Sequence, residues 1–351
     1  MLATAASRAL TADPTASGLG WTMERLAPSL GVAPRWRVEP RADLAQVPAD
    51  RNDIYFGVER CHDEPALSCL LRALAQAAWS IAPILVSSSL SLLDRHQVLR
   101  PLTNAPRFLG LPFGHSRRED ESHVRSNEVG DLTSFGDLSR RQRLVQQWLL
   151  GHQYFFVLDQ LLILATVRLR EALDGHAWVA AAAELANLRE LLLSSTAAMS
   201  LVGDMAPEEY VDVIRVHVRA FHPDMTALHQ ADHVHLQRLF RDCQFSRRLD
   251  EGAWPADVRS GFADVQVARA LLLTGHLKVC ERSVGTATPS IHSEAKKNEQ
   301  AAVDTIAALN ATRGQAFALE PLVGDASDSI GAGERIQRDW EPTSRRVPDG
   351  T

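Results

Sequence analysis

The feature that most constrains the fold of this chain is a long helical pattern over residues 138–173. Ser139 can cap its beginning, because a serine hydroxyl accepts a hydrogen bond from the free backbone N–H groups of a first helical turn. Between residues 154 and 165 apolar side chains lie nearly all around the helix, whereas a surface helix carries them on one stripe. The sequence therefore predicts a central buried helix, whose apolar run 154–167 contains Asp159.

Helical patterns also account for most of the remaining chain. There is little convincing strand alternation and no internal repeat, so the sequence predicts an all-α fold, a helical bundle with one core. Pro207 and the two glutamates after it open one of the helices, and Asp232 can cap another. The predicted helices besides the central one span residues 65–85, 88–99, 177–201, 207–223, 232–240, 255–283 and 293–313.

Composition divides the chain into one domain and two tails. Residues 1–20 are rich in Ala, Thr and Ser, and residues 324–351 in Gly, Asp, Ser, Pro and Arg, so we expect flexible tails there. A single helical domain is predicted over residues 21–323. Within it, residues 101–137 are rich in Gly, Pro, Ser and charge, which predicts an irregular loop or lid.

Charge and cysteine usage exclude several classes of protein. The net charge is −6 with no basic block, which argues against a nucleic-acid partner. The longest apolar run is too short to cross a bilayer and no secretory signal is visible, so we expect no membrane partner and a cytoplasmic location. The four cysteines form neither a disulfide framework nor a CxxC zinc pair.

His276 and Cys280 lie four residues apart in the predicted helix 255–283. This spacing places them on one helix face, about 5–6 Å apart. An imidazole there can reach the iron of a haem that lies against the helix, and the thiol can reach a vinyl carbon at the porphyrin edge. The c-type haem signature has two cysteines before the histidine, so this pattern predicts one thioether at most.

Five further histidines lie in the region before this helix, and the simplest interpretation is not the same for all of them. His233 and His235 cannot share a helix face, because residues i and i+2 point apart, and periodicity does not choose between them. For the others, and for His235, a surface or loop position is the first expectation. The five are His217, His222, His229, His233 and His235.

His229 and His233 also have the i, i+4 spacing of zinc-binding helices. A mononuclear zinc or non-haem iron site is therefore an alternative, but no HExxH motif is present and Asp232 is badly placed to be a general base. His152 begins the most apolar helix. Its position fits either a hydrogen-bonded core residue or a residue of a ligand pocket.

Several short motifs, taken in order, resemble those of the haem-dependent aromatic hydroxylases, a family related in fold to tryptophan 2,3-dioxygenase. The resemblance is strongest to the branch that acts on 3-methyl-L-tyrosine, and it runs over residues 50–292. The matching segments are Asn52-Asp53-Ile54-Tyr55-Phe56-Gly57, Trp148-Leu149-Leu150-Gly151-His152, Gly203-Asp204, Glu209-Tyr210, Leu228-His229-Gln230-Ala231-Asp232-His233, His276-Leu277-Lys278-Val279-Cys280, Val284-Gly285 and Pro289-Ser290. The 42 residues between His233 and His276 are close to the spacing in that branch's HxnHxxxC motif.

The resemblance implies a tryptophan 2,3-dioxygenase type of fold and a cofactor derived from haem b. It implies that His233 is the proximal iron ligand and that His276 is a resting-state ligand on the opposite side, which leaves to admit the oxidant. Cys280 would form one thioether to the haem. His152 would line the distal pocket and donate a hydrogen bond to bound oxygen or a substrate phenol, while Asp232 or a backbone carbonyl would orient His233.

The implied reaction is hydroxylation of an aromatic amino acid of the tyrosine or methyltyrosine type. The oxidant would be peroxide, or dioxygen with a reductant, and the pathway would be that of an antibiotic or other secondary metabolite. The segment Ile214-Arg215-Val216-His217-Val218-Arg219 lacks the proline that tyrosine-hydroxylating relatives carry there. A haem enzyme acting on tryptophan or another aromatic metabolite therefore stays open.

Two alternatives lie outside catalysis. One is a haem sensor or carrier with two tight histidine ligands, and the other is a helical interaction module without a cofactor. Exposed apolar surface on such a bundle would be compatible with a homodimer.

Overall fold

The computed structural model describes residues 51–58, 66–110, 138–223, 225, 230–242, 254–286, 288–291 and 301–314. These residues are almost entirely helical and contain no strand, only an isolated antiparallel bridge between Pro289 and Ala301. The predicted all-α fold is confirmed. The helices are α1 (Arg51–Phe56), α2 (Ala66–Ser87), α3 (Leu92–Thr103), α4 (Ala105–Phe108), α5 (Arg140–Asp174), α6 (Trp178–Val202), α7 (Pro207–Glu209), α8 (Val216–Phe221), α9 (Ala231–Asp242), α10 (Ala256–Val284) and α11 (Ala302–Gly314).

Helix α5 is the central element, with 35 residues and a length of about 50 Å. Its beginning is fixed locally, because the Ser139 hydroxyl accepts from the Gln142 backbone N–H while the Gln142 side chain accepts from the Ser139 N–H. Only residues 175–177 separate its end from α6. So short a connection between two long, contacting helices makes α5 and α6 an antiparallel hairpin.

The other long helices assemble on this hairpin. Helices α2 and α9 pack on α5, α3 and α10 pack on α6, and α11 packs on α10. The core between them is made of aliphatic side chains and a few rings, among them the fully buried Tyr154, Leu158 and Phe262. Full burial of such a side chain stabilises the fold by about 1.5–3 kcal/mol.

The irregular segment predicted from residue 101 begins later in the structure. Pro101 lies inside α3, and α4 follows at once, because Leu102 and Phe108 are buried in the core and hold this part of the chain against the bundle. Residues 111–137 of that prediction lie outside the described residues, as do the predicted tails. The single domain over 21–323 stays a prediction.

A π-helical segment, Tyr210–Arg215, interrupts the predicted helix between α7 and α8. Such segments widen a helix by one residue per turn and occur frequently at functional sites. Arg215 at its end is buried and donates from Nη2 to the Pro289 carbonyl at 2.8 Å. The segment thereby joins α8 to the chain that follows α10.

Two helical stretches are long and apolar enough to cross a membrane by length and composition, Cys69–Ser87 and Arg140–Asp174. About half of each stretch is buried inside the bundle, 53% and 56% respectively. The core helix of a bundle meets the same criterion. The expectation of no membrane partner therefore stays a prediction.

Candidate active site

One face of α5 carries a half-buried stripe of side chains. Its members recur every three or four residues and so lie on one side of the helix. Three are aromatic or histidine, one is a carboxylate and one is aliphatic. We call this set the α5 stripe: Trp148, His152, Phe155, Asp159 and Ile163.

His152 lies among aromatic rings near the beginning of the stripe. Its imidazole stacks on Phe56 with ring centroids 4.6 Å apart and an interplanar angle of 10°, and it packs against Trp148 at 4.2 Å. Phe56 is the last residue of α1, so the two motifs that contain Phe56 and His152, far apart in sequence, meet at this stack. The Phe155 ring lies on another side of the imidazole, at 6.2 Å.

The hydrogen bond of His152 defines its tautomer. Nδ1 lies 2.7 Å from the Trp148 carbonyl oxygen, which can only accept, so Nδ1 carries the proton. Burial lowers the pKa of His152 to about 4, and the bond to the Trp148 carbonyl only partly counteracts this. In the neutral ring Nε2 is therefore an acceptor. An acceptor at Nε2 differs from the expected donation of a hydrogen bond by His152 to oxygen or a phenol, and the role of His152 stays a prediction.

Buried polar groups lie close to Phe56, the residue that stacks on His152. Tyr55 contacts Phe56, and Nε2 of His217, whose ring lies 5.8 Å from that of Tyr55, has no hydrogen-bond partner among the described residues. Burial, above all, raises the pKa of Tyr55. Leaving buried polar groups without partners destabilises a fold, and natural proteins tolerate this mainly where function requires it.

His233 lies on α9 and faces the α5 stripe. Its Nδ1 is 3.7 Å from Oδ2 of Asp159, and both side chains are mostly covered, with exposures of 26% and 15%. His235, two positions further, is exposed. The structure therefore distinguishes His233, which faces α5, from His235, which is exposed, whereas helical periodicity did not choose between them.

Asp232 takes a different position from the predicted ones. It lies in the first turn of α9 and not before it, and its Oδ2 accepts from the Gln230 side-chain amide at 3.0 Å. Oε1 of Gln230 accepts from the backbone N–H of His233 at 2.6 Å, as a helix cap would. Asp159, which is distant in sequence, faces the His233 ring instead.

His276 and Cys280 lie one turn apart in α10, as predicted, and both are half-buried. The residues just before them, Gly275 and Val279, press against α6. A β-carbon added at Gly203, at the end of α6, would lie 2.6 Å from Cγ1 of Val279. The glycine thus permits the close approach that fixes this part of α10.

The Cys280 side chain is kept as a thiol. Burial, and to a smaller extent the Glu281 carboxylate, raise its pKa to about 11. A neutral thiol is a poor metal ligand compared with a thiolate. The environment therefore favours a role other than coordination of iron.

Arg269 bridges α10 and α9. Its Nη2 donates to Oε1 of Gln237 at 3.4 Å and its guanidinium carbon lies 4.9 Å from the centre of the Phe240 ring. Arg269 and His276 are two helical turns apart on one face, and Gln237 and His233 are one turn apart on another. The contact between Arg269 and Gln237 therefore links the face of α10 that carries His276 to the face of α9 that carries His233.

His222 and His229 complete the set of candidate histidines. His222 was expected at the surface but is buried, with Nε2 2.9 Å from Oδ1 of Asn52, because α1 packs over the end of α8. His229 lies outside the described residues, so the zinc alternative is not tested there. Among the residues that are described, no three His, Cys, Asp or Glu side chains converge as metal ligands.

An open cleft of about 410 Å³ lies apart from these residues, near the beginning of α5. Its charged groups are engaged with one another: Arg140 pairs with Glu209 at 2.7 Å, and Asp204 accepts from the Ser89 backbone N–H at 2.6 Å. None of the candidate histidines lines it. The α5 stripe with its histidines is the better candidate site.

The fold and the site together define an all-α protein with an aromatic cluster around His152 on α5, His233 facing the same helix face, and His276 with Cys280 one turn apart on α10. A sequence model of the SfmD 3-methyl-L-tyrosine peroxygenase family matches residues 2–257. The chain belongs to this family, which confirms the resemblance drawn from its motifs. The match ends before His276 and Cys280.

The chain is similar to a curated protein and to a solved structure. A 3-methyl-L-tyrosine peroxygenase of Streptomyces lavendulae is 29% identical over 191 residues, which are 54% of this chain and 51% of the relative. The chain thus spans about half the length of that relative. A crystal structure of reduced SfmD, soaked with sodium hydrosulfite, is 21% identical, has a TM-score of 0.49, and is matched over 77% of this chain and 89% of that one.

Proposed function

We propose that this chain is a haem-dependent oxidoreductase that hydroxylates an aromatic amino acid of the tyrosine or methyltyrosine type. The observation that carries the proposal is the pair of candidate donors on two helices: His233 on α9 faces the α5 stripe, and His276 lies on α10 one turn from Cys280. His233 and His276 offer imidazoles, which are common haem ligands. Cys280 offers a half-buried thiol on the same face as His276.

The donor set fits a haem better than a bare metal ion. A mononuclear zinc or non-haem iron site needs three or more protein ligands, and no such group occurs among the residues that the structure describes. A haem needs only axial ligands from the protein, because the porphyrin supplies four nitrogens. The half-buried aromatic and aliphatic side chains of the stripe suit its apolar faces.

His233, His276 and Cys280 have separate roles in the proposed site. With Nδ1 of His233 turned to Asp159, its Nε2 is the nitrogen available to iron. His276 would be the second ligand and the one that leaves. Cys280, one turn away, would keep the cofactor attached by a thioether when His276 moves, and this is a physical reason for both residues on one turn.

His152 has a proton-holding role in the proposed reaction. Its Nδ1 proton is held by the Trp148 carbonyl, and its Nε2 can accept a hydrogen bond from a phenol O–H. The rings of Phe56 and Phe155 pack against the imidazole and help to fix its orientation. The haem supplies the oxidation chemistry when bound, with peroxide, or dioxygen and a reductant, as the oxidant.

Family membership supports the substrate class. A place in secondary metabolism, as in antibiotic biosynthesis, stays a prediction from the motif resemblance. The S. lavendulae relative is a 3-methyl-L-tyrosine peroxygenase. A cytoplasmic location and a homodimer stay predictions from sequence.

An absorption spectrum of the purified full chain tests the proposal. We expect a Soret band, a pyridine haemochrome typical of one saturated vinyl group, and an intact mass equal to the chain plus one haem. His233→Ala should lose haem or its six-coordinate spectrum, while His235→Ala, the matched exposed histidine, should keep both. Protein without a Soret band would overturn the proposal, and complete extraction of haem by acid acetone would overturn the thioether.

A further inference from the structure

Asp159 is an unusual residue for its place in the fold. It is the only charged side chain between residues 154 and 167, in the most apolar part of α5. Its neighbours one turn away on the same helix are Phe155 and Ile163, so no cation on α5 accompanies it. A carboxylate in such a position costs stability unless a partner compensates.

The partner that the structure provides is His233. The carboxylate Oδ2 lies 3.7 Å from Nδ1 of that ring, across the contact between α5 and α9. This is the ion-pair range and slightly beyond a hydrogen bond, and side chains around a cofactor site commonly tighten when the cofactor binds. Both groups lie on surfaces that are mostly covered.

We propose that Asp159 is the positioning residue of the axial ligand: it accepts a hydrogen bond from Nδ1–H of His233 and directs Nε2 of that ring to the iron. The inference rests on the proposed function. A ligating histidine usually donates its other N–H to a carboxylate or a carbonyl, which fixes the ring orientation and makes the donor nitrogen more basic. Asp232, the acid beside His233 in sequence, contacts Gln230.

A carboxylate behind the ligand has a consequence beyond orientation. Negative charge on the imidazole stabilises ferric over ferrous iron, so hydrogen bonding to the ligand is one of the ways in which a protein sets the reduction potential. Asp159 would therefore lower the reduction potential of the haem. It would also strengthen the bond between iron and His233.

The test uses the purified holoprotein and three variants. In Asp159→Asn the reduction potential should shift to more positive values and the iron–histidine stretching band of the ferrous protein should move to lower frequency. Asp159→Glu should restore both at least in part. Asp232→Asn, the matched control on α9, should leave both at their wild-type values.

The possible results separate this inference from the proposed function. If the wild-type chain binds no haem, or His233→Ala keeps an unchanged spectrum, the proposed function has failed. If haem and the His233 dependence are present but Asp159→Asn has the wild-type potential and stretching band, only the role of Asp159 is overturned. A shift in Asp232→Asn without one in Asp159→Asn would also overturn it.

A fourth variant tests whether Asp159 serves only the stability of the fold. Asp159→Leu removes a charge from an apolar helix, so the haem-free protein should unfold at the same urea concentration as wild type or at a higher one. Its holoprotein should still show the positive shift in potential. A large loss of stability in the haem-free Asp159→Leu protein would mean that Asp159 serves the fold.

Discussion

At the scale of single residues, the two nitrogens of His152 have different tasks. Nδ1 is committed to the Trp148 carbonyl, and the burial of the imidazole opposes a positive charge. The residue therefore stays neutral down to about pH 4. A ring so constrained can accept a hydrogen bond at Nε2 through the whole physiological range of pH, without becoming an acid.

The same burial makes stability depend on pH. The ordinary pKa of histidine is 6.5, so between pH 6.5 and 4 the unfolded chain binds this proton and the folded chain does not. Acidification through that window should lower the free energy of unfolding, by at most about 3 kcal/mol from His152. Urea unfolding curves at several pH values should show a smaller loss in His152→Gln than in wild type.

The control is His235→Gln, which removes an exposed histidine from α9. It should retain the full acid sensitivity of the wild type. Equal pH dependence in all three proteins would contradict the buried neutral state of His152.

At the scale of elements, the position of α10 depends on its fit against α6. Val279 packs into the space that Gly203 leaves, and Arg282 donates to the Gly203 carbonyl. Because His276 and Cys280 neighbour Val279 on the same helix, this contact also sets where the two side chains lie. The glycine acts through the absence of a side chain.

Gly203→Ala should therefore destabilise the protein by about 1–3 kcal/mol through overpacking. In a Val279→Ala background the added β-carbon meets no methyl group, so most of this cost should disappear. Urea unfolding of the two single variants and the double variant measures the coupling. An equal cost of Gly203→Ala in both backgrounds would show that the close approach is not its cause.

The elements differ in how far sequence could predict them. The beginning of α5 follows from Ser139 and Gln142, which are local, and the turn from His276 to Cys280 follows from helical spacing alone. The burial of His222 depends on Asn52, and the partner of His233 is Asp159; both contacts require tertiary packing. An aspartate inside an apolar run was a usable signal, but its partner was not readable from sequence.

At the scale of the whole molecule, the hairpin of α5 and α6 supports two separate attachments. Helix α9 packs on α5 and α10 packs on α6, and Arg269 bridges the two attached helices. The proposed cofactor contacts both through His233 and His276. Haem binding should therefore link α9 to α10, which pack on different helices of the hairpin.

Amide hydrogen exchange should detect this link between α9 and α10. On haem loading, amides in α9 and in the second half of α10 should exchange more slowly, while those in α3, which packs on α6, should be unchanged. Mass-spectrometric comparison of the haem-free and haem-loaded protein is the measurement. Protection that appears only in α10, with none in α9, would contradict ligation by His233.

The independent anchoring of α9 and α10 also concerns the chain between them. Since each helix is positioned by its own partner in the hairpin, the length of the segment from Asp242 to Ala256 does not define where either histidine lies. Relatives can thus gain or lose residues there by insertion and deletion while the site keeps its geometry. For protein engineering, this interval is the natural place to insert a reporter peptide.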